Sequence, residues 1–121
     1  MNRRERGAHA EAAALAYLQQ RGLRCVRQNY RCRWGEIDLI MQDAETTVFV
    51  EVRFRSRADF GGALASIDRR KQNRLVRTAQ HFLQRSAPAD ASARIDVVHC
   101  APGSGGALRL NWIANAIELS S

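Results

Sequence analysis

The sequence predicts an α/β domain, and three observations carry that expectation. A proline-free run rich in Ala, Leu, Glu and Gln opens the chain, β-branched segments follow it, and a second helical run divides these from two further strand-like segments. Helical periodicity alternating with period-two segments argues for a sheet packed against helices. The order reads helix, strand, strand, strand, helix, strand, strand, with a short helical tail. The 121 residues suffice for one hydrophobic core and not for two. No internal repeat, low-complexity tract or linker rich in Pro, Gly or Ser divides them, so residues 1–121 are read as a single domain.

The first helix is expected from about Arg4 to Arg21, with Gly22 as its stop. Leu23 to Asn29 sets Leu23, Cys25 and Arg27 against Arg24, Val26 and Gln28, which suits an edge strand. Tyr30 to Trp34 follows as a basic loop. The central strands span Glu36–Met41 and Thr47–Phe54, joined by the polar turn Asp43-Ala44-Glu45-Thr46. Ser56 to Ala63, with Gly61-Gly62, reads as a polar loop. Ser66 stands as the N-cap of a helix from Ile67 to about Arg85, ended by Ser86-Ala87-Pro88. The last strands are Arg94–Cys100 and Leu108–Ile113, joined by a loop carrying Pro102, Gly103, Ser104, Gly105 and Gly106.

Charge narrows the partners. Nineteen Lys+Arg against 12 Asp+Glu give a net charge of +7 and a pI near 10.6. That excess suits an anionic partner, and nucleic acid is the commonest. Lys71 is the only lysine; the other basic residues are arginines, which grip phosphate bidentately and stack on bases. Cys25, Cys32 and Cys100 make an odd count without paired spacing, so no disulfide framework is implied and reduced, mostly buried thiols are expected. No Cys-x-x-Cys or His-x-x-x-His spacing supports a zinc site with His9, His81 or His99. Met1 to Ala10 lacks an apolar signal region and no apolar run nears membrane-spanning length, so a cytoplasmic protein without a membrane partner is expected.

The acids of the central strands carry the chemistry. Side chains alternate along a strand, so Glu36 and Asp38 should share one face, as should Glu51 and Arg53, while Ile37, Leu39, Val50 and Val52 point to the core. If Asp43 to Thr46 closes a two-residue hairpin, Asp38 and Glu51 face each other, a destabilising pairing that a bound cation would relieve. On the first helix, Glu11 falls among Ala8, Leu15 and Leu18, inside the core stripe. It needs either an arginine or backbone partner, or the same cation. On the second helix Arg70, Arg74, Arg77, His81 and Arg85 form a stripe without an interleaved acid, suited to tracking phosphates. Gln72 projects toward the apolar side, with Lys71 at the border, as an active-site wall or the rim of the core. Tyr30 and Trp34 suit either stacking on an unpaired base or packing over the hairpin.

Together, Ala10-Glu11 in a helix, Gly35-Glu36-Ile37-Asp38-Leu39-Ile40, Phe49-Val50-Glu51-Val52-Arg53-Phe54-Arg55 and Lys71-Gln72 resemble the YraN-type family of uncharacterised bacterial proteins. That family is placed in the restriction-endonuclease-like superfamily, whose nucleases carry a PD-(D/E)xK motif, and is similar in outline to archaeal Holliday-junction resolvases. The resemblance covers roughly residues 5–115. It implies a central mixed sheet of about five strands flanked by helices. It also implies that Asp38 and Glu51 are catalytic metal ligands, that Arg53 stands where lysine is usual, that Glu11 is the helical glutamate of the resolvase-like branch, and that Gln72 contacts the site.

Carboxylates of this kind suit Mg²⁺ or Mn²⁺, which can lower the pKa of a water and neutralise charge on a scissile phosphate. The reaction class this chemistry suits is phosphodiester hydrolysis. The resemblance implies an endonuclease acting on DNA sooner than RNA, with duplex, flap and junction substrates, branched DNA among them, all compatible with a basic groove. Arg53 and Lys71 would stabilise developing charge, while Arg31, Arg33, Arg70, Arg74, Arg77 and His81 would hold flanking backbone. Arginine stays protonated, so Arg53 cannot act as a general base. A homodimer would suit a symmetric junction. Two readings compete: a catalytically silent nucleic-acid-binding module of the same fold, and a structural domain whose acids are satisfied by Arg31, Arg33, Arg53 or Arg55.

Overall fold

The computed structural model describes residues 2–55, 64–86 and 91–119, and among these the chain forms two long helices and five strands. Helix α1 is Arg3–Gln20 and helix α2 is Arg69–Ser86. The strands are β1 (Arg24–Cys32), β2 (Gly35–Asp43), β3 (Thr46–Phe54), β4 (Ser92–Pro102) and β5 (Leu108–Ile117). They form one sheet in the order β1-β2-β3-β4-β5. Every neighbouring pair is antiparallel except β3 with β4, which run parallel because the chain crosses over through α2 between them. The sheet is therefore mixed, as expected.

Alternation along the strands feeds two separate cores, one under each helix. Val48, Val50, Val98 and Cys100 meet Ala10, Ala14 and Leu18 of α1. Phe49, Ile95 and Val97 meet Leu75, Ala79 and Phe82 of α2. Phe82 stacks edge-on against Phe49 and Tyr30, with ring centroids 5.8 and 5.3 Å apart, which fixes the lateral position of α2. Helix α1 seats its small-residue stripe close to the sheet, and Ala8, expected in that stripe, is exposed instead. Burial pushes the Cys100 thiol up to about 12, so it is an inert packing group.

Several boundaries differ from expectation. Tyr30 to Cys32 belongs to β1, because Arg33-Trp34 alone makes the turn and Cys32 pairs with Gly35. Arg31 and Arg33 are exposed while Tyr30 packs inward, so the run is basic on its outer side only. Asp68, not Ser66, caps α2: its Oδ1 accepts from Lys71 N at 2.8 Å, and the helix starts at Arg69. The expected helical tail is strand, since β5 continues to Ile117. The loop expected over 56–63 and the helix stop at Ala87-Pro88 lie outside the described residues.

The extension of β5 depends on an acid that composition does not single out. Register between β4 and β5 shifts between Ile95 and Val97, and Asn115 in the resulting bulge has φ 53°. Asp96, fully buried, ties this bulge together. It accepts from Asn115 N and Trp112 Nε1, both at 2.8 Å, and from Arg94 Nε at 3.0 and 3.2 Å.

Gly35 does equivalent work at the β1–β2 turn. Its φ is 150°, and a Cβ there would stand 3.2 Å from Thr78 Oγ1 of α2. Gly35→Ala should therefore cost about 1–3 kcal/mol of stability in urea unfolding, from backbone strain and a displaced helix contact. Asp96→Ala should cost more, about 3 kcal/mol or above, since it strands the buried donors and a guanidinium together. An unchanged midpoint for the second variant would remove Asp96 from its role in the bulge.

Candidate active site at the β2–β3 fork

The β2–β3 ladder runs from Asp43–Thr46 to Leu39–Val50 and no further. In that register Asp38 falls opposite Glu51, as the two-residue turn at Ala44-Glu45 predicts. The backbone bond that would follow is missing, and Val52 N donates instead to Asp38 Oδ2 at 2.8 Å. A side-chain carboxylate thus stands in for a main-chain carbonyl, and the two strands part around it. On the other side, Asn29 of β1 has φ 52° opposite Asp38, and the face alternation breaks at this point. Ile37 joins the core under α2 and Leu39 the core under α1. The simple expectation that Ile37 and Leu39 share a face therefore fails, and Asp38 sits where it can meet groups from both sides of the sheet.

Those groups are acids. Glu51 on β3, 5% exposed, is close enough to Asp38 for its charge to act on it. Burial, then the charge of Glu51, pushes the Asp38 carboxyl up to about 7, against the opposing pull of the Val52 amide and Lys71. Glu11, half-buried on α1, is also pushed up to about 7, by burial first and then by the charges of Asp38 and Glu36. No three His, Cys, Asp or Glu side chains are grouped closely enough to hold a metal ion among the described residues. Asp38 instead links two acids that approach it from different elements.

Basic groups surround the acids unevenly. Lys71 Nζ, from the first turn of α2, lies 3.4 Å from Glu51 Oε2. Arg53 Nη1 is 3.8 Å from the same oxygen, while its Nη2 donates to Ser66 Oγ at 3.0 Å. Glu36 is taken up by exposed Arg31, whose Nε lies at 2.6 Å, so it contributes charge to Glu11 without joining Asp38. Gln72 is not brought to the acids: its Nε2 donates to Ile67 O at 2.9 Å and secures the start of α2.

The arginine stripe of α2 divides. Arg70 is exposed. Arg74 lines a cleft of about 390 Å³ with Arg31, Lys71 and Glu36, beside the acids. Arg77 and Arg33 lie against Trp34, and His81 Nδ1 shares a hydrogen bond with Tyr30 Oη. Tyr30 is buried and so is not a stacking surface.

A second basic cleft lies between α1 and the end of β3. About 540 Å³ in volume, it is lined by Arg3, Arg6, Arg53 and Arg55 around Val52 and Phe54. Arg3, Arg4 and Arg6 occupy the first turn of α1, the positive end of the helix dipole, where acids are favoured. That inversion of the usual charge preference is the sequence signal for the cleft.

Comparison with known proteins places the chain among relatives of nearly its own length. A UPF0102 protein of Methylococcus capsulatus is 52% identical over 93% of this chain and 89% of its own. One from Pseudomonas syringae pv. tomato is 50% identical over 96% and 94%. Another, from Nitrosococcus oceani, is 47% identical over 98% and 95%. Residues 10–100 match the family described as "Uncharacterised protein family UPF0102", a span that includes Glu11, the β2–β3 fork and Lys71. The chain therefore belongs to the UPF0102 family.

Proposed function

We propose that this protein is a divalent-metal-dependent endonuclease that hydrolyses phosphodiester bonds in DNA, branched DNA in particular. The observation that carries the reading is the fork itself. It sets two largely buried carboxyls, Asp38 and Glu51, across from each other, with Glu11 acting on Asp38 from α1 and Lys71 Nζ 3.4 Å from Glu51. A mixed sheet flanked by helices is also what the resemblance to restriction-endonuclease-like nucleases implies, and among the described residues no helix is long and apolar enough to cross a membrane.

The donor set suits Mg²⁺ or Mn²⁺: its oxygens are hard, and burial first, then the charges of neighbouring acids, raises two of the carboxyl pKa values. Asp38 and Glu51 would hold the ion, and Glu11, not grouped closely enough with them to be a third ligand, would add negative charge from α1. Such an ion supplies a water of lowered pKa and positive charge against the scissile phosphate. The chain's own residues do the rest. Val52 N fixes one oxygen of Asp38 and leaves the other for coordination. Lys71, whose Nζ lies 3.4 Å from Glu51, would on release from it meet a non-bridging phosphate oxygen and add an amine beside the guanidinium of Arg53. Arg53, anchored by Ser66, orients rather than exchanges protons. The clefts lined by Arg31 and Arg74 and by Arg3, Arg6 and Arg55 offer the flanking phosphates a path on either side of the acids.

The competing reading, a silent nucleic-acid binder, draws on the ion pairs that Lys71 and Arg53 already make with Glu51. Cleavage of end-labelled four-way-junction, flap and linear DNA with Mn²⁺ and Mg²⁺ separates the two. A nuclease loses roughly a hundredfold or more in rate with Asp38→Ala or Glu51→Ala while DNA binding survives. Lys71→Ala should cost about as much through lost charge stabilisation. Salt-sensitive binding without metal-dependent cutting would establish the silent binder instead.

The raised carboxyls also make stability depend on pH. Asp38 and Glu11 hold protons more tightly folded than unfolded, so their contribution is full below about pH 4 and is lost as pH rises to about 7. In the metal-free protein Tm should fall through that window, and Asp38→Asn should flatten the fall. Above it, Mn²⁺ should raise Tm in the wild type and far less in Asp38→Asn. A wild-type Tm indifferent to Mn²⁺ there would count against the ligand set.

A further inference from the structure

The strongest feature outside the fork lies at the far end of α2. Here the β1–β2 turn lays Trp34 against the helix, and a cleft of about 600 Å³ opens between them. It is lined by Arg33, Trp34, Arg77, Gln80, His81 and Gln84. The volume falls within the range of small-molecule sites, roughly 300–1,000 Å³. Four of these residues sit at 77, 80, 81 and 84 of α2, a spacing that aligns them along one face.

Charge and shape together indicate what fits. The Arg33 and Arg77 guanidiniums lie 4.6 and 4.8 Å from the Trp34 ring centroid, so both charges sit within about one Debye length, ~10 Å at 0.1 M salt. Neither has an acid within ion-pair distance among the described residues. Among the described residues no acid lines the cleft either. Two uncompensated cations held this close favour an anion between them. The indole supplies a flat aromatic surface, and Gln80 and Gln84 add carboxamides able both to donate and to accept. His81 is held by its bond to Tyr30, whose ring is locked into the core by Phe82, so the floor of the cleft is preorganised.

We propose that this cleft binds one unpaired nucleotide, its base stacked on the Trp34–arginine surface and its phosphate on the guanidiniums. A base inside a continuous duplex already has both faces covered, so such a site selects single-stranded or splayed nucleic acid. The inference rests on the nucleic-acid half of the reading above and is independent of cleavage.

Binding of short fluorescent oligothymidylate and of a blunt duplex to the full-length protein tests it. Trp34→Ala should weaken strand binding about tenfold or more, as expected for one lost stack, and leave duplex binding within about twofold. Trp34→Phe should restore most of the affinity for the strand. A strand carrying 2-aminopurine should lose emission on saturation with wild-type protein, a readout that requires no variant to fold. Equal losses on strand and duplex, or 2-aminopurine emission unchanged at saturation, would overturn the inference while leaving the nuclease reading intact. Absence of any nucleic-acid binding by the wild type would overturn both.

Discussion

The hydrogen bond from Val52 N to Asp38 is the constraint on which the rest of the architecture turns. A sheet gains by satisfying each amide with the neighbouring strand's carbonyl, and at this point it does not. The carboxylate substitutes, the strands part, and Asp38 is left between two cores instead of inside one. Its environment is a contest: the amide and Lys71 favour the charged form, burial and Glu51 oppose it, and the opposition wins. A structural acid is normally chosen so that its partners settle its charge. Here they leave it unsettled, and that is the condition a cation would resolve.

Asp96 shows the contrast within the same sheet. It is more deeply buried than Asp38, yet it meets an arginine, an indole N–H and a backbone N–H, which exhaust its acceptor capacity. One acid is saturated with donors and closes a bulge; the other is matched against fellow acids and opens a fork. The same residue type thus closes a bulge at one register position and parts two strands at another. Donor supply distinguishes them better than burial does.

Much of this was legible in the sequence, and what escaped has physical reasons. The two-residue turn at Ala44-Glu45 set the register that brings Asp38 opposite Glu51, and the alternation of Val50 and Val52 with Glu51 and Arg53 marked β3. The same alternation misled at Ile37 and Leu39, because a positive φ at Asn29 bends the pairing and no local pattern announces it. The β1 boundary escaped because arginines on its exposed face make a strand look like a loop. Choosing between Ser66 and Asp68 as a cap needs the helix's first amide, which only the fold supplies. Lys71 was visible as the lone lysine, but its approach to Glu51 depends on how α2 docks through Phe82.

The single parallel pair in the sheet has a consequence for how the chain reaches this structure. Strands β1, β2 and β3 are joined by two-residue turns, so the Asp38–Val52 contact spans only 14 residues. Pairing β3 with β4 must wait for the crossover through α2 and the closing of a much longer loop. The meander, with its crowded carboxyls, is thus topologically the quick part to assemble, and Lys71 arrives with the slow part. During folding the repulsion between Asp38 and Glu51 exists before its nearest counter-charge, and protonation or a dissolved cation is what can ease that step.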